Sequence, residues 1–549
     1  MDQWIDKIIE KRKSPQMTAF FSCIIAGFLT FMYTMTHHFL SYDSMWNLYS
    51  KQDMISSGRQ FLAYACRISS DYDLPWVNGV LAIFYLAVCA WILVDAFEMK
   101  KHVTAALCGA FLVTFPSIAG TFCYSYTIDG YMLAVLCTTL AFYLAKKYRF
   151  GWIPAIFLNG FSLGVYQAYF SYLILLCMLS LMLDFIFESD LKMIFKRIIR
   201  YCTMGIGGYL FYVISLKIMV ALRHVEMSGY QGTDKVLSFS LDTLPKGLIT
   251  AFKNFFSFMI KKGVLTSNLT MRIALYLLIA CAAVMFVSLV ISKKTYKSPV
   301  RMLGIIALIL LLPFGTNLIS IIYPSVFFYV LLRYPWVVFF IFIPVLAERV
   351  CLLKEGNVVE KGSKDSIKEN KDSIKENKDS AKESKDSAKK KTNAVFYQIV
   401  SCICIVASLV MIFEFAVLAN IVAFNMNERY EKTYATCLRL VDRLEQCEGF
   451  KAGDTVAVLG GLPDESIYPF TDITYNTLKG YFVPTGNLCV ESSGKFITFF
   501  NHYMGISVNA PDSETELELL NTPEYNEMEK FPKEGSIRRI NGVWVIKIN

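Results

Sequence analysis

Eleven apolar blocks of about twenty residues, near 18–40, 75–97, 103–123, 129–146, 151–167, 169–188, 201–222, 271–292, 301–322, 326–349 and 395–424, constrain this chain more than any other feature. Crossing about 30 Å of hydrocarbon takes about 20 helical residues, and a helix satisfies its own backbone donors and acceptors there. A soluble core has no reason to repeat that length. The 549 residues are 55% hydrophobic and only 18% charged, with mean hydropathy +0.44, so lipid is the expected solvent. The blocks at 151 and 169 are joined by Tyr166-Gln167-Ala168-Tyr169 alone, which predicts a tight hairpin or one broken helix. No small-residue cleavage site follows the first block, which is therefore expected to persist as a helix rather than be removed as a signal peptide.

The net charge of +9 matters less than where the cations sit. Lys7, Lys11, Arg12 and Lys13 precede the first block. Alternate loops then carry Lys100 and Lys101; Lys146, Lys147 and Arg149; Lys192, Lys196, Arg197 and Arg200; and Lys293, Lys294, Lys297 and Arg301. A basic loop at every second crossing is the orientation signal of membrane insertion, and it argues against a nucleic-acid partner. It puts the N-terminus in the cytoplasm. Segments 41–74 and 223–270, the turns near 124, 167 and 323, and the tail from 425 then lie outside. Of fifteen cysteines, twelve fall in or beside apolar blocks with no C-x-x-C pair, which argues against zinc. Cys437, Cys447 and Cys489 lie in the polar tail, where one disulfide would leave one free thiol.

Residues 1–350 thus read as a ten-helix transmembrane catalytic domain and 395–424 as a last helix. Between them, 351–394 contains four units, KDSIKEN, KDSIKEN, KDSAKES and KDSAKKK. Each offers at most one apolar position where a coiled-coil seam needs two, so the run reads as a solvated cytoplasmic linker. The tail 425–549 changes composition. Helical spacing at 427–447, a buried-strand pattern at 455–459 and a hairpin signal at Asn541-Gly542 within 536–548 predict a small α+β extracytoplasmic domain.

Polar chemistry on the outer side is sparse. Ser41-Tyr42-Asp43-Ser44-Met45-Trp46 follows the first helix, then Ser57-Gly58-Arg59, Arg67, Asp71 and Asp73; Asp129 heads the fourth helix, and Arg333 precedes Pro335 inside the tenth block. Asp43 reads either as the cap of a short interfacial helix or as a base. Arg59 and Arg67, eight apart, read either as headgroup anchors on one amphipathic helix or as anion ligands. Arg333 reads as a snorkelling group or as an anion ligand inside the bundle. His37 and His38 read as interface residues rather than metal ligands. Tyr124, Tyr126, Tyr166 and Tyr169 fit an interfacial aromatic belt, some of whose rings could stack on a sugar. An outward carboxylate with outward arginines suits transfer from a lipid-linked phosphate to a hydroxyl.

The Ser41–Trp46 motif, Ser57-Gly58-Arg59, the Tyr166-Gln167-Ala168-Tyr169 turn after a glycine-containing helix, and Tyr230-Gln231-Gly232 in the large outer loop together resemble the bacterial Gtr type II glucosyltransferases. The resemblance runs through most of the chain apart from the repeats. It implies a GT-C-like polytopic enzyme that takes a hexose, glucose first, from a polyprenyl phosphate and adds it to a cell-surface glycan such as an O-antigen, at the plasma or inner membrane. By that resemblance Asp43 is the general base, Asp129 a second acidic site residue, and Arg59, Arg67 and Arg333 ligands of the donor phosphate. Trp46, Tyr126, Tyr166, Gln167 and Tyr230 are candidate substrate contacts. Tyr42 and Ser44 flank Asp43 where a second acid would be expected, so no metal or other cofactor is assigned. A flippase or transporter of lipid-linked saccharides, and a glycan polymerase, are the competing readings. No internal repeat supports a transporter.

Overall fold

A computed structural model describes residues 14–37, 39–41, 43–228, 244–261, 263–322, 328–368, 380–460 and 488–548, with the backbone alone at 354–368 and 380–394. Its helices are α1 (Pro15–Thr36), α2 (Pro75–Ala96), α3 (His102–Thr114), α4 (Ile128–Lys147), α5 (Trp152–Val165), α6 (Tyr169–Phe187), α7 (Leu191–Arg223), α8 (Leu244–Ile260), α9 (Leu269–Ser292), α10 (Pro299–Thr316), α11 (Val337–Lys368), α12 (Ser380–Glu445) and α13 (Ser493–Phe499). The chain also has further short helices, Pro116–Phe122 and Ser513–Leu520 among them. The start of α1 is set locally: the Ser14 hydroxyl accepts the Met17 amide at 3.3 Å, and Pro15 occupies the first turn.

Among the described residues, ten helices are long and apolar enough to cross a membrane. All eleven expected blocks contain a helix. The exception in length is α5, whose 14 residues span roughly 21 Å, short of the hydrocarbon thickness. The 151–188 region is therefore two separate helices, α5 and α6, parted where Tyr166 takes an extended backbone. The Pro335 kink takes the form of a 3-10 turn, Val330–Trp336, ahead of α11.

Helices approach closely where side chains are small. A Cβ on Gly109 of α3 would lie 2.1 Å from the Ala19 carbonyl of α1, so these two backbones touch. Asn268, capping α9, donates to Glu414 of α12 at 2.7 Å, which makes Glu414 an interhelical partner.

The stretch Val395–Glu445 of α12 is 51 residues, roughly 76 Å, more than twice the hydrocarbon thickness. Its far half must project beyond the bundle, and it becomes the first element of the tail domain. There β1 (Val456–Leu459), β2 (Ile537–Ile540) and β3 (Val543–Lys547) form a sheet of order β1-β3-β2, with β1 parallel and β2 antiparallel to β3. The β2–β3 turn is Asn541-Gly542, both at positive φ (49° and 85°), as a tight hairpin requires. The predicted helix, strand and hairpin of the tail are all present. The domain core joins Leu440 and Leu444 of α12 to Val456, Phe496, Phe499 and Ile546, and also takes in Leu40 and Met45 from the segment after α1. All fifteen cysteines are free thiols, including the three of the tail.

Gly109→Ala must push α1 off α3 and should destabilise the detergent-solubilised protein by about 1–3 kcal/mol. Gly205→Ala, where the nearest atom to the new Cβ is 3.9 Å away, should be neutral. Thermal unfolding of the pair followed side by side checks this, and equal midpoints would refute the close contact.

Candidate active site

The segment between α1 and α2 folds into short turns, Ser44–Asn47, Ile55–Ser57, Leu62–Ala65 and Arg67–Ser69, rather than one amphipathic helix. It is sewn down by polar contacts. Gly58 turns the chain at φ 72°, and its carbonyl accepts from Gln167 Nε2 (2.7 Å) and from the Tyr212 hydroxyl (3.2 Å). A side chain on Gly58 would meet that tyrosine oxygen at 2.8 Å. The Phe61 amide donates to the Gly164 carbonyl of α5 at 2.9 Å.

Asp43 stands at the cap position of Ser44–Asn47, but its side chain makes no capping hydrogen bond. The cap reading therefore fails, and the carboxylate faces outward from the turn. It lies within electrostatic reach of Lys495 and Glu491 from the tail domain and of Arg59 from its own segment. Lys495, at the start of α13, is 6% exposed and pairs with Glu491 at 2.6 Å. Though Asp43 is solvent-accessible, the protein crowding it raises its pKa above the ordinary carboxylate value; Lys495 and Arg59 pull the other way, and Glu491 adds to the rise.

Arg59 donates to the Tyr131 hydroxyl at 3.2 Å and lies over the Tyr166 ring at 5.0 Å. Tyr131 and Tyr166 stack with centroids 4.6 Å apart. Tyr124 and Tyr126 meet edge to face at 6.2 Å, and both lie within electrostatic reach of Asp43. One carboxylate, one guanidinium, one buried ammonium and a tyrosine wall thus share one end of the bundle.

The remaining candidates divide. Trp46, 56% exposed, lays its ring edge on Gly494, where a Cβ would lie 3.1 Å from the indole. Tyr126 and Tyr166 are buried in the wall, and Gln167 holds Gly58. Asp129 is fully buried beside Cys66 and within electrostatic reach of Asp73. Arg67 is exposed on the outside of its turn. Arg333 donates to the Phe328 carbonyl at 3.2 Å and packs against Phe258 and Phe328, while Tyr334 beside it touches Tyr169, which in turn touches Tyr166. Tyr230 lies outside the described residues.

Sequence reasoning missed Glu491 and Lys495. Their four-residue spacing beside the apolar Leu488-Cys489-Val490 was the available signal, but nothing in the sequence brings residue 495 to residue 43.

Such a site suits a group-transfer enzyme working at the edge of a bilayer. The family model described as Glucosyl transferase GtrII matches residues 32–343, more than half of the chain, and the chain belongs to that family. It is accordingly a membrane glucosyltransferase acting on a glycan. No curated protein and no solved structure matches it.

The electrostatics of Asp43 predict two opposite shifts. An activity that needs ionised Asp43 rises with pH through a pKa above 3.8. Lys495→Met removes a cation that favours the ionised form and should move that acid limb to higher pH. Glu491→Gln removes a like charge and should move it lower. The pH profiles of kcat/KM for glucosyl transfer by the three proteins check this; limbs that do not move apart would refute the coupling.

Proposed function

We propose that the enzyme transfers glucose from a polyprenyl-phosphate donor to a hydroxyl of a cell-surface glycan, on the extracytoplasmic face of the cell membrane. The observation that carries this reading is Asp43, a crowded carboxylate with raised pKa within electrostatic reach of the cations Lys495 and Arg59. Its site lies at the end of the bundle opposite the basic loops, in keeping with an external position.

In this reading Asp43 takes the proton of the acceptor hydroxyl as that oxygen attacks the anomeric carbon. The bond from that carbon to the phosphate oxygen breaks, and its electron pair leaves with the polyprenyl phosphate. Arg59 and Lys495 stabilise the charge gathering there. The sugar inverts because no covalent enzyme intermediate intervenes. The stacked Tyr131 and Tyr166, with Tyr126, give the sugar an aromatic wall, and Trp46 flanks the approach from the tail domain. Asp129, buried behind the wall, shapes the site electrostatically rather than meeting the acceptor. Arg333, packed on Phe258 and Phe328, is a further ligand for the donor phosphate, and Arg67 faces lipid headgroups or donor. Tyr230 remains a candidate substrate contact from the 223–270 segment.

Purified protein given radiolabelled polyprenyl-phosphate glucose and its glycan acceptor should transfer label, and Asp43→Asn should lower kcat by roughly a hundredfold or more. A wild-type protein that transfers nothing from such donors sinks the reading; an Asp43→Asn protein of full activity sinks the role of that residue.

A further inference from the structure

Tyr49 and Tyr72 form an exposed pair of rings outside the tyrosine wall. They are 69% and 52% exposed, with centroids 5.0 Å apart and planes tilted by 53°, and their backbones pair as an antiparallel bridge. The backbone that holds them is strained. Gln52, Ser70 and Asp71, none of them glycine, take positive φ (56°, 58° and 71°), a conformation that persists where surrounding contacts impose it and that concentrates at functional sites. Those contacts run from the Ser50 amide to the Asp71 carbonyl at 2.9 Å, from the Asp73 amide to the Leu48 carbonyl at 3.2 Å, and from Gln52 Nε2 to Asn47 Oδ1 at 3.0 Å.

The same bonds tie the pair to the site. Asn47 Nδ2 donates to the Asp43 carbonyl at 2.8 Å, so Gln52, Asn47 and Asp43 are joined in one chain of hydrogen bonds. Tyr49 follows Asp43 by six residues of mostly helical backbone, which at about 1.5 Å per residue is roughly 9 Å. On the other side Asp73 accepts from Ser125 Oγ at 3.0 Å, next to Tyr126, and Tyr72 and Tyr126 line one narrow crevice together with Lys51 and Asp71. Exposed tyrosines at this end of a membrane protein ordinarily belong to the interfacial belt, as Trp76 does in the first turn of α2. The pair differs: its flanking residues are Ser50, Lys51, Asp71 and Asp73, and Tyr503 of the tail domain lies within electrostatic reach of Asp73, so the domain borders the pair.

We infer that Tyr49 and Tyr72 form a subsite for the acceptor glycan, stacking on a sugar that neighbours the one whose hydroxyl reaches Asp43. The inference rests on the reading of Asp43 as the base for transfer to an external glycan. A pyranose presents a face of C–H bonds that packs on the negative face of an aromatic ring, and hydroxyls at its edge that need polar partners. Two exposed rings give the face, and Lys51 and Asp71 give the partners. Because the pair and Asp43 share one hydrogen-bonded segment, a glycan held on the rings is held in register with the base.

The test uses the full chain in phosphatidylethanolamine–phosphatidylglycerol vesicles, with cell-surface polysaccharide purified from the host cell as the probe. Without any donor, a benzophenone side chain at Lys51 should capture polysaccharide well above one at Trp76. Equal capture at the two positions, or phospholipid adducts alone at 51, would overturn the subsite and return the pair to the interfacial belt. With donor present, Tyr49→Ala and Tyr72→Ala should each raise KM for the polysaccharide about tenfold with a much smaller change in kcat, and Tyr49→Trp and Tyr72→Trp should hold KM near the wild-type value. Trp76→Ala should leave that KM unchanged. An unmoved KM in both alanine variants, or an equal rise in Trp76→Ala, would also overturn the subsite. The capture comparison decides the matter even where an alanine variant fails to fold. Polysaccharide captured at 51 by a protein that transfers no glucose to it would overturn the transfer reading and leave the subsite standing.

Discussion

The site depends on one apolar seal: Leu40 and Met45, just after the first helix, are buried in the core of a domain that begins four hundred residues later. Through it the domain gains an attachment to the bundle besides α12. A single helical tether fixes distance from the membrane but leaves rotation about the tether open, whereas a second attachment through a packed core fixes orientation. The Ser44–Asn47 turn and α13 meet through that seal, and Trp46 on Gly494 extends it. Further bonds tie the same region to α12, from Arg429 to the Leu488 carbonyl at 2.8 Å and from the Cys489 amide to the Thr433 hydroxyl at 2.7 Å.

The electrostatic consequence is local. A carboxylate on an exposed turn would titrate near its ordinary value, screened by water. In this structure the protein crowding Asp43 raises its pKa, and the domain sets a buried lysine and a glutamate within electrostatic reach of it. Lys495 itself is tolerated at 6% exposure because Glu491 pairs with it one turn away.

Legibility in the sequence followed the range of the interaction. Helix positions were readable because the bilayer imposes a length on every crossing. The domain's hairpin was readable because Asn541-Gly542 alone supplies the positive φ values of its turn. The block boundary differs at α5, where the apolar run extends to 167 but the helix ends at Val165, since Tyr166 and Gln167 are drawn off to stack on Tyr131 and to hold Gly58. In the site, Asp43 and Arg59 stood out as charged residues in an otherwise apolar half of the chain. Their separation from Arg67 did not, because an eight-residue spacing fits one helix face as well as it fits two independent turns. Lys495 was illegible for a different reason: its partner lies across the longest sequence separation in the site, and only packing brings the two together.

The family match ends at residue 343, before α12 and the whole domain. Asp43, Arg59 and the tyrosine wall fall inside it; Glu491, Lys495 and Gly494 fall outside. The matched part therefore carries a carboxylate and a guanidinium but not the full electrostatic surroundings that set the carboxylate's proton affinity. Those surroundings are completed by the unmatched part, through a contact whose energy is hydrophobic and whose effect is electrostatic. A change in the domain core at Phe496 or Leu440 would act at Asp43 without touching it, by loosening the seal that keeps Lys495 and Glu491 within electrostatic reach of the carboxylate.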